Sequence, residues 1–188
     1  MLLNTTANFI ASAIFSGTII ITPFLVVVNL FKIRLYKIDK LLLIEAINTL
    51  LLFAALIYCL IWLTEIYIAY FSGGDYEQYR FTNRLFGSYW WATLALLIKS
   101  VLLPQILWIR KIRRSFIATI IIISVWVVIY IPLIIDSMMV EGFNLWSDFY
   151  WWLTNLVQLL ACIALITAVY FLLKRKKLAG SKPTFAGG

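Results

Sequence analysis

The chain has 188 residues, of which 64% are hydrophobic and 13% charged, and its mean hydropathy is +0.98. A globular domain of this size is about half apolar and one quarter charged, and it could not bury this much apolar surface, so a soluble fold is excluded. The net charge of +8 is carried in short stretches between apolar runs, which is the pattern of a topology signal and not of a nucleic-acid surface.

A helix needs about 20 apolar residues to cross a bilayer. In chain order, five runs meet that length: 9–30, 41–69, 89–108, 116–135 and 150–173. The expected architecture is all-α, an integral membrane bundle of five transmembrane helices filling 1–177, with a disordered tail at 178–188. Residues 1–8 lack the basic start of a signal peptide, so the first helix is expected to be retained. The second run is long for one crossing, which predicts tilt or extension beyond the membrane surface.

Cations alternate between the connections. Lys32, Arg34, Lys37 and Lys40 follow the first run, Arg110, Lys111, Arg113 and Arg114 follow the third, and Lys174, Arg175, Lys176 and Lys177 follow the fifth. The other two connections hold Arg80 and Arg84 with the acids Asp75, Glu77, Glu141 and Asp148. The positive-inside rule then places the N-terminus outside and the C-terminus in the cytoplasm, in the inner (cytoplasmic) membrane of a bacterium. Trp90, Trp91, Trp146, Trp151 and Trp152 mark the outer interface, and Trp108 the inner one.

Polar residues inside a spanning helix are costly and face protein or water. The second run carries Glu45, Asn48 and Thr49 in its inner half and Glu65 further out. The third carries Lys99, Ser100, Pro104 and Gln105; the fourth ends near Pro132 and Asp136; the fifth holds Thr154, Asn155 and Gln158. At a rise of 1.5 Å per residue, Lys99 lies roughly 16 Å from the inner charged turn, Asn48 about 12 Å and Glu45 about 7 Å. A lysine stem reaches toward the interface, so the expected partner of Lys99 is Glu45 or Asn48. Three readings of Lys99 are open: a snorkelling or structural charge, a proton or ligand group, and a contact with another subunit. Pro104 is expected to kink its helix and free a carbonyl that Ser100 or Gln105 would serve. Glu65 is expected to pair with Arg80 or Arg84, and the alternative is that Glu65, Asp75, Glu77, Arg80 and Arg84 contact a partner on the outer face.

No histidine is present, which removes the usual haem ligand and the commonest zinc ligand. Cys59 and Cys162 lie singly inside apolar runs and form no ligand set. No phosphate loop or nucleophile–base arrangement appears, so no catalytic residue and no metal site is assigned.

The stretch Ile68-Ala69-Tyr70-Phe71-Ser72-Gly73-Gly74-Asp75-Tyr76-Glu77-Gln78-Tyr79 continues through Phe81-Thr82-Asn83-Arg84-Leu85-Phe86-Gly87-Ser88-Tyr89-Trp90-Trp91 to Pro104-Gln105-Ile106-Leu107-Trp108 and Lys111-Ile112-Arg113. Across residues 65–114 this resembles the NrfD-like, or polysulfide-reductase type, membrane subunits, in the form found in alternative complex III. Ile14-Phe15-Ser16-Gly17 also fits a helix from the later half of such subunits. Family members carry a longer bundle with a quinol site beside an iron–sulfur partner. This chain matches only their later half. The half that supplies their histidine and aspartate site residues has no counterpart. A Cys-Asn pair ahead of the Pro-Gln is replaced by Lys99-Ser100, and a late Trp-x-Glu-Arg signature reads Pro132-Leu133-Ile134-Ile135. The resemblance therefore implies a subunit of a respiratory, quinone-linked complex, partnered by the bilayer and other membrane subunits. It would have no redox cofactor of its own, and any quinone would sit at a subunit interface. The alternatives are a small transporter or channel subunit using a Lys99–Glu45 pair, or an assembly subunit.

Overall fold

The computed structural model describes residues 2–31, 38–71, 74–88, 90–141 and 145–180, and it contains helices and no strand among them. Helix α1 is Leu2–Leu30, α2 is Lys40–Phe71, and α3 is Asp75–Phe86. Helix α4, Trp90–Leu97, continues without a break as a π turn over Ile98–Leu102 and a 3-10 stretch over Leu103–Trp108. A single turn α5, Arg110–Arg113, leads to α6, Phe116–Glu141, and α7 closes the chain as Leu145–Gly180.

Among the described residues, four helices are long and apolar enough to cross a membrane: Thr5–Leu30, Lys40–Phe71, Trp90–Trp108 and Trp152–Ala179. The fourth of the five expected crossings, at 116–135, is not among them. The run at 116–135 is helical, but its apolar length among the described residues extends only over Phe116–Val128, short of a crossing. Two further differences concern the connections. Residues 75–86, read as outer loop, form α3, because Phe81 packs edge-on against Trp62 at 6.4 Å and Tyr70 at 6.0 Å while its charged face stays outward. Residues 178–180, read as tail, are the last turn of α7. Lys32, Arg34 and Lys37, residues 181–188, and the side chains of Pro132, Asp136, Glu141, Trp146, Asp148 and Trp151 lie outside the described residues.

Helix α2 is central and packs on α1, α3, the π and 3-10 segments, α5, α6 and α7. Its apolar residues run all round it, as a helix enclosed by neighbours or lipid requires. On one side α1 and α7 meet closely at Gly17, where a Cβ would overlap Cβ and Sγ of Cys162. Small residues let membrane helices approach in this way. Ser16 donates to Oε1 of Gln158 at 2.7 Å across the same seam. On the other side Phe15 of α1 stacks on Trp126 of α6, with ring centroids 4.0 Å apart. The core gathers around Phe15, Leu51, Leu107, Trp126 and Cys162.

One end of the bundle is fixed by Asp39. Its carboxylate accepts from the backbone N–H of Leu41 at 3.1 Å and caps α2. Its other oxygen meets Lys177 Nζ at 2.9 Å, and its own N–H donates to the Tyr170 hydroxyl at 3.1 Å. The hydrogen bond from Lys177 is the main reason the Asp39 carboxyl is held below its ordinary value of 3.8, with the two helix N–H groups adding to it against partial burial. The C-terminal end of α7 therefore lies beside the start of α2.

Candidate functional site

Glu45, Asn48 and Thr49 of α2 lie toward that same end. Glu45 is buried, and its Oε2 accepts from Arg114 Nε at 2.9 Å. Three residues on, Asn48 is fully buried and both ends of its amide are bonded. Nδ2 donates to the carbonyl of Arg113 at 2.8 Å and, more weakly, to that of Ser115 at 3.4 Å, while Oδ1 accepts from the Thr119 hydroxyl at 2.9 Å. The Arg113 carbonyl sits where α5 stops, with no continuing helix to serve it, whereas the Ser115 carbonyl opens α6. Asn48 thus supplies the missing donor and locks the sharp turn onto α2. Thr49 bonds locally to the Glu45 carbonyl at 2.6 Å.

Lys99 is fully buried in the π turn, and its ammonium lies 4.4 Å from the centre of the Trp126 ring. The expected pairing with Glu45 or Asn48 is not formed. Depth explains the outcome. Trp126 stands ten residues into α6, roughly 15 Å from the charged turn and level with Lys99, whereas Glu45 sits near the surface beside Arg114. An aromatic face is a favourable site for a desolvated ammonium.

The backbone at Lys99 is also special. In the π register the N–H of Leu103 bonds to Ile98. The next donor in that register would be Pro104, which has no N–H. The Lys99 carbonyl is thereby released, and the Trp126 indole donates to it at 3.0 Å. Pro104 frees a carbonyl as expected, but Trp126 of another helix serves it. Ser100 instead donates to the Leu96 carbonyl. Gln105 Nε2 donates to Val101 O at 3.1 Å, and its Oε1 accepts from Trp108 Nε1 at 2.8 Å. These bonds repair the passage from π to 3-10 helix.

At the opposite end, Glu65 pairs with Arg84 at 2.9 Å, while Arg80 turns to Glu77 at 3.7 Å within α3 and lies over the Tyr76 ring at 5.6 Å. Asp75 opens α3, where a carboxylate favours the helix N-terminus. Glu65, Glu77, Arg80 and Arg84 line a polar cleft of about 150 Å³ floored by Ile68, Ala69 and Phe81. These side chains are a third or more exposed, so the pairs add little stability in water.

Arg114, Thr119 and Trp126 complete the network around the α5–α6 turn and were not among the candidate residues. Trp126 carried a legible signal, since a tryptophan midway along an apolar run cannot belong to an interface belt. Among the described residues no group of three or more Cys, Asp and Glu could hold a metal ion. The arrangement joins α2, α4 and α6 through buried polar bonds, and it sets an ammonium and an indole side by side at mid-depth. Compared with known protein families, no family model matches the chain, and no curated protein matches it.

Proposed function

We propose that the chain is a structural membrane subunit of a respiratory, quinone-linked redox complex of the NrfD-like kind. In this reading α1, α2, α4 with its π and 3-10 continuation, α6 and α7 cross the bilayer, and α3 is offered to a partner on the outer face. The observation that carries the structural role is the use made of the intramembrane polar groups. Glu45, Asn48, Ser100, Gln105 and Trp126 each bind a neighbouring helix, a turn or their own backbone. Groups committed in this way hold a bundle together and are poorly placed to pass protons. A transporter built on a Lys99–Glu45 pair loses its coupling element, because Glu45 is held by Arg114. The redox assignment rests on the resemblance across residues 65–114, and the carriers of electrons would belong to other subunits.

The length of α6 supports the fifth crossing. Its backbone runs 26 residues, about 39 Å, against a hydrocarbon core of about 30 Å. The test is affinity purification of the tagged full-length chain in mild detergent. Mass spectrometry should identify further membrane subunits and an iron–sulfur protein, and the eluate should absorb as haem or iron–sulfur cluster. A chain recovered alone, colourless and monodisperse from native membranes would overturn the assignment.

A further inference from the structure

Between the 3-10 stretch of α4 and the first turns of α6 the two helices part. Trp126 pins them at mid-depth and α5 ties them at the inner end, leaving a groove of about 470 Å³. Its walls are Leu103, Ile106, Ile117, Ala118, Ile121 and Ile122, and its inner end is closed by Lys111, Ile112 and Ser115. Ile106, Ile117 and Ile121 are about half exposed or more, so the groove opens sideways. It rises about 9 Å above the charged turn, from Ser115 to Ile121.

We propose that this groove seats one acyl chain of an anionic phospholipid of the inner leaflet, with the headgroup phosphate held by Lys111 and the Ser115 hydroxyl. The inference rests on the membrane reading above and adds a ligand to it. Charge complementarity selects the occupant. Arg110, Lys111, Arg113 and Arg114 stand within five residues of one another, and Arg114 alone is engaged by Glu45. Basic clusters beside spanning helices attract anionic lipid at about 1 kcal/mol per residue. The apolar walls continue from that charge without an intervening polar step, which matches a phosphate joined to a hydrocarbon tail. A neutral tail would gain nothing from Lys111, and an apolar helix of another subunit would bury its ammonium.

The full-length chain, exchanged into detergent with equal phosphatidylglycerol and phosphatidylcholine, is examined by native mass spectrometry. One phosphatidylglycerol should persist per chain. Lys111→Gln, at an exposed site, should reduce the preference for phosphatidylglycerol about five-fold. Ala118→Phe should remove bound lipid of both kinds by filling the groove. Should that variant fail to fold, Ile121→Trp closes the groove from its open side with the same expected loss. Equal retention of the two lipids by the native chain, or undiminished binding in the groove-filling variants, overturns the proposal. Release of the chain from native membranes by alkaline carbonate would overturn the membrane reading itself, and it is measured without added lipid, so the two failures are distinguishable.

Discussion

At the scale of single residues, Asn48 and Trp126 carry the energetic weight of the half of the bundle that holds the α5–α6 turn. Each meets a backbone carbonyl that the local chain cannot satisfy, one at the α5–α6 junction and one left by Pro104. Asn48→Leu should destabilise the bundle by about 1–3 kcal/mol, because it orphans the Arg113 carbonyl and the buried Thr119 hydroxyl and does not merely remove a bond. Trp126→Phe should cost a similar amount, keeping the ring beside Phe15 and Lys99 while deleting the indole donor. Thermal unfolding in detergent checks both, and an unchanged midpoint in either variant would show that the carbonyl finds another donor. The sequence made Asn48 and Lys99 conspicuous as polar residues in apolar runs, but it could not pair them. Helix α2 is apolar on all sides, so no amphipathic stripe fixes its rotation, and the true partners of Asn48 are 65 to 71 residues away. Depth along the axis was legible from counting; direction around the axis was not.

At the scale of elements, capping and charge tie the end of α7 to the start of α2. Asp39 stands among the cations of a topology signal, which masks its second role, although an aspartate just before an apolar run is an N-cap signature. Its carboxyl is held below 3.8 by Lys177. A lowered folded value means the stabilisation is present above the ordinary carboxylate pKa and is lost as pH falls through the folded value. The melting temperature of the native chain should therefore drop on acidification from about pH 5 to about pH 3 more than that of Asp39→Asn, which has already lost the interaction. At neutral pH, Asp39→Asn should make the basic segment at 174–177 more readily cut by trypsin. Equal cleavage of the two proteins would mean that Tyr170 alone holds the helix end. Helix α3 teaches a complementary lesson. Its twelve residues are too short and too charged for a crossing, so it reads as loop until Phe81 finds Trp62 and Tyr70 on α2, since tertiary packing and not propensity stabilises most such helices.

For the whole molecule, the open quantity is the parity of crossings, and the ends of the bundle bear on it. Arg114 reaches Glu45 near the start of α2, and Lys177 reaches Asp39 at the same end. Helix α6 thus begins where α7 finishes. Helix α7 runs from Gln158 against Ser16 of α1 to Tyr170 beside Asp39 at the start of α2, so it descends toward that end. A fifth crossing by α6 would place the start of α7 at the opposite end, as this course of α7 requires. Five crossings put the α3 surface and the C-terminal cations on opposite faces; if α6 stays on one side, they share a face. The experiment uses a Cys59→Ala background, in which the remaining Cys162 is buried. Tyr76→Cys, at a position 69% exposed on α3, should react with an impermeant maleimide in intact cells. Lys176→Cys should react only after the membrane is permeabilised, as the positive-inside rule requires of a basic end. Labelling of both from outside would reduce the crossings to four. Labelling of Lys176→Cys alone would keep five and invert the molecule, and with it the leaflet that supplies the lipid at Lys111.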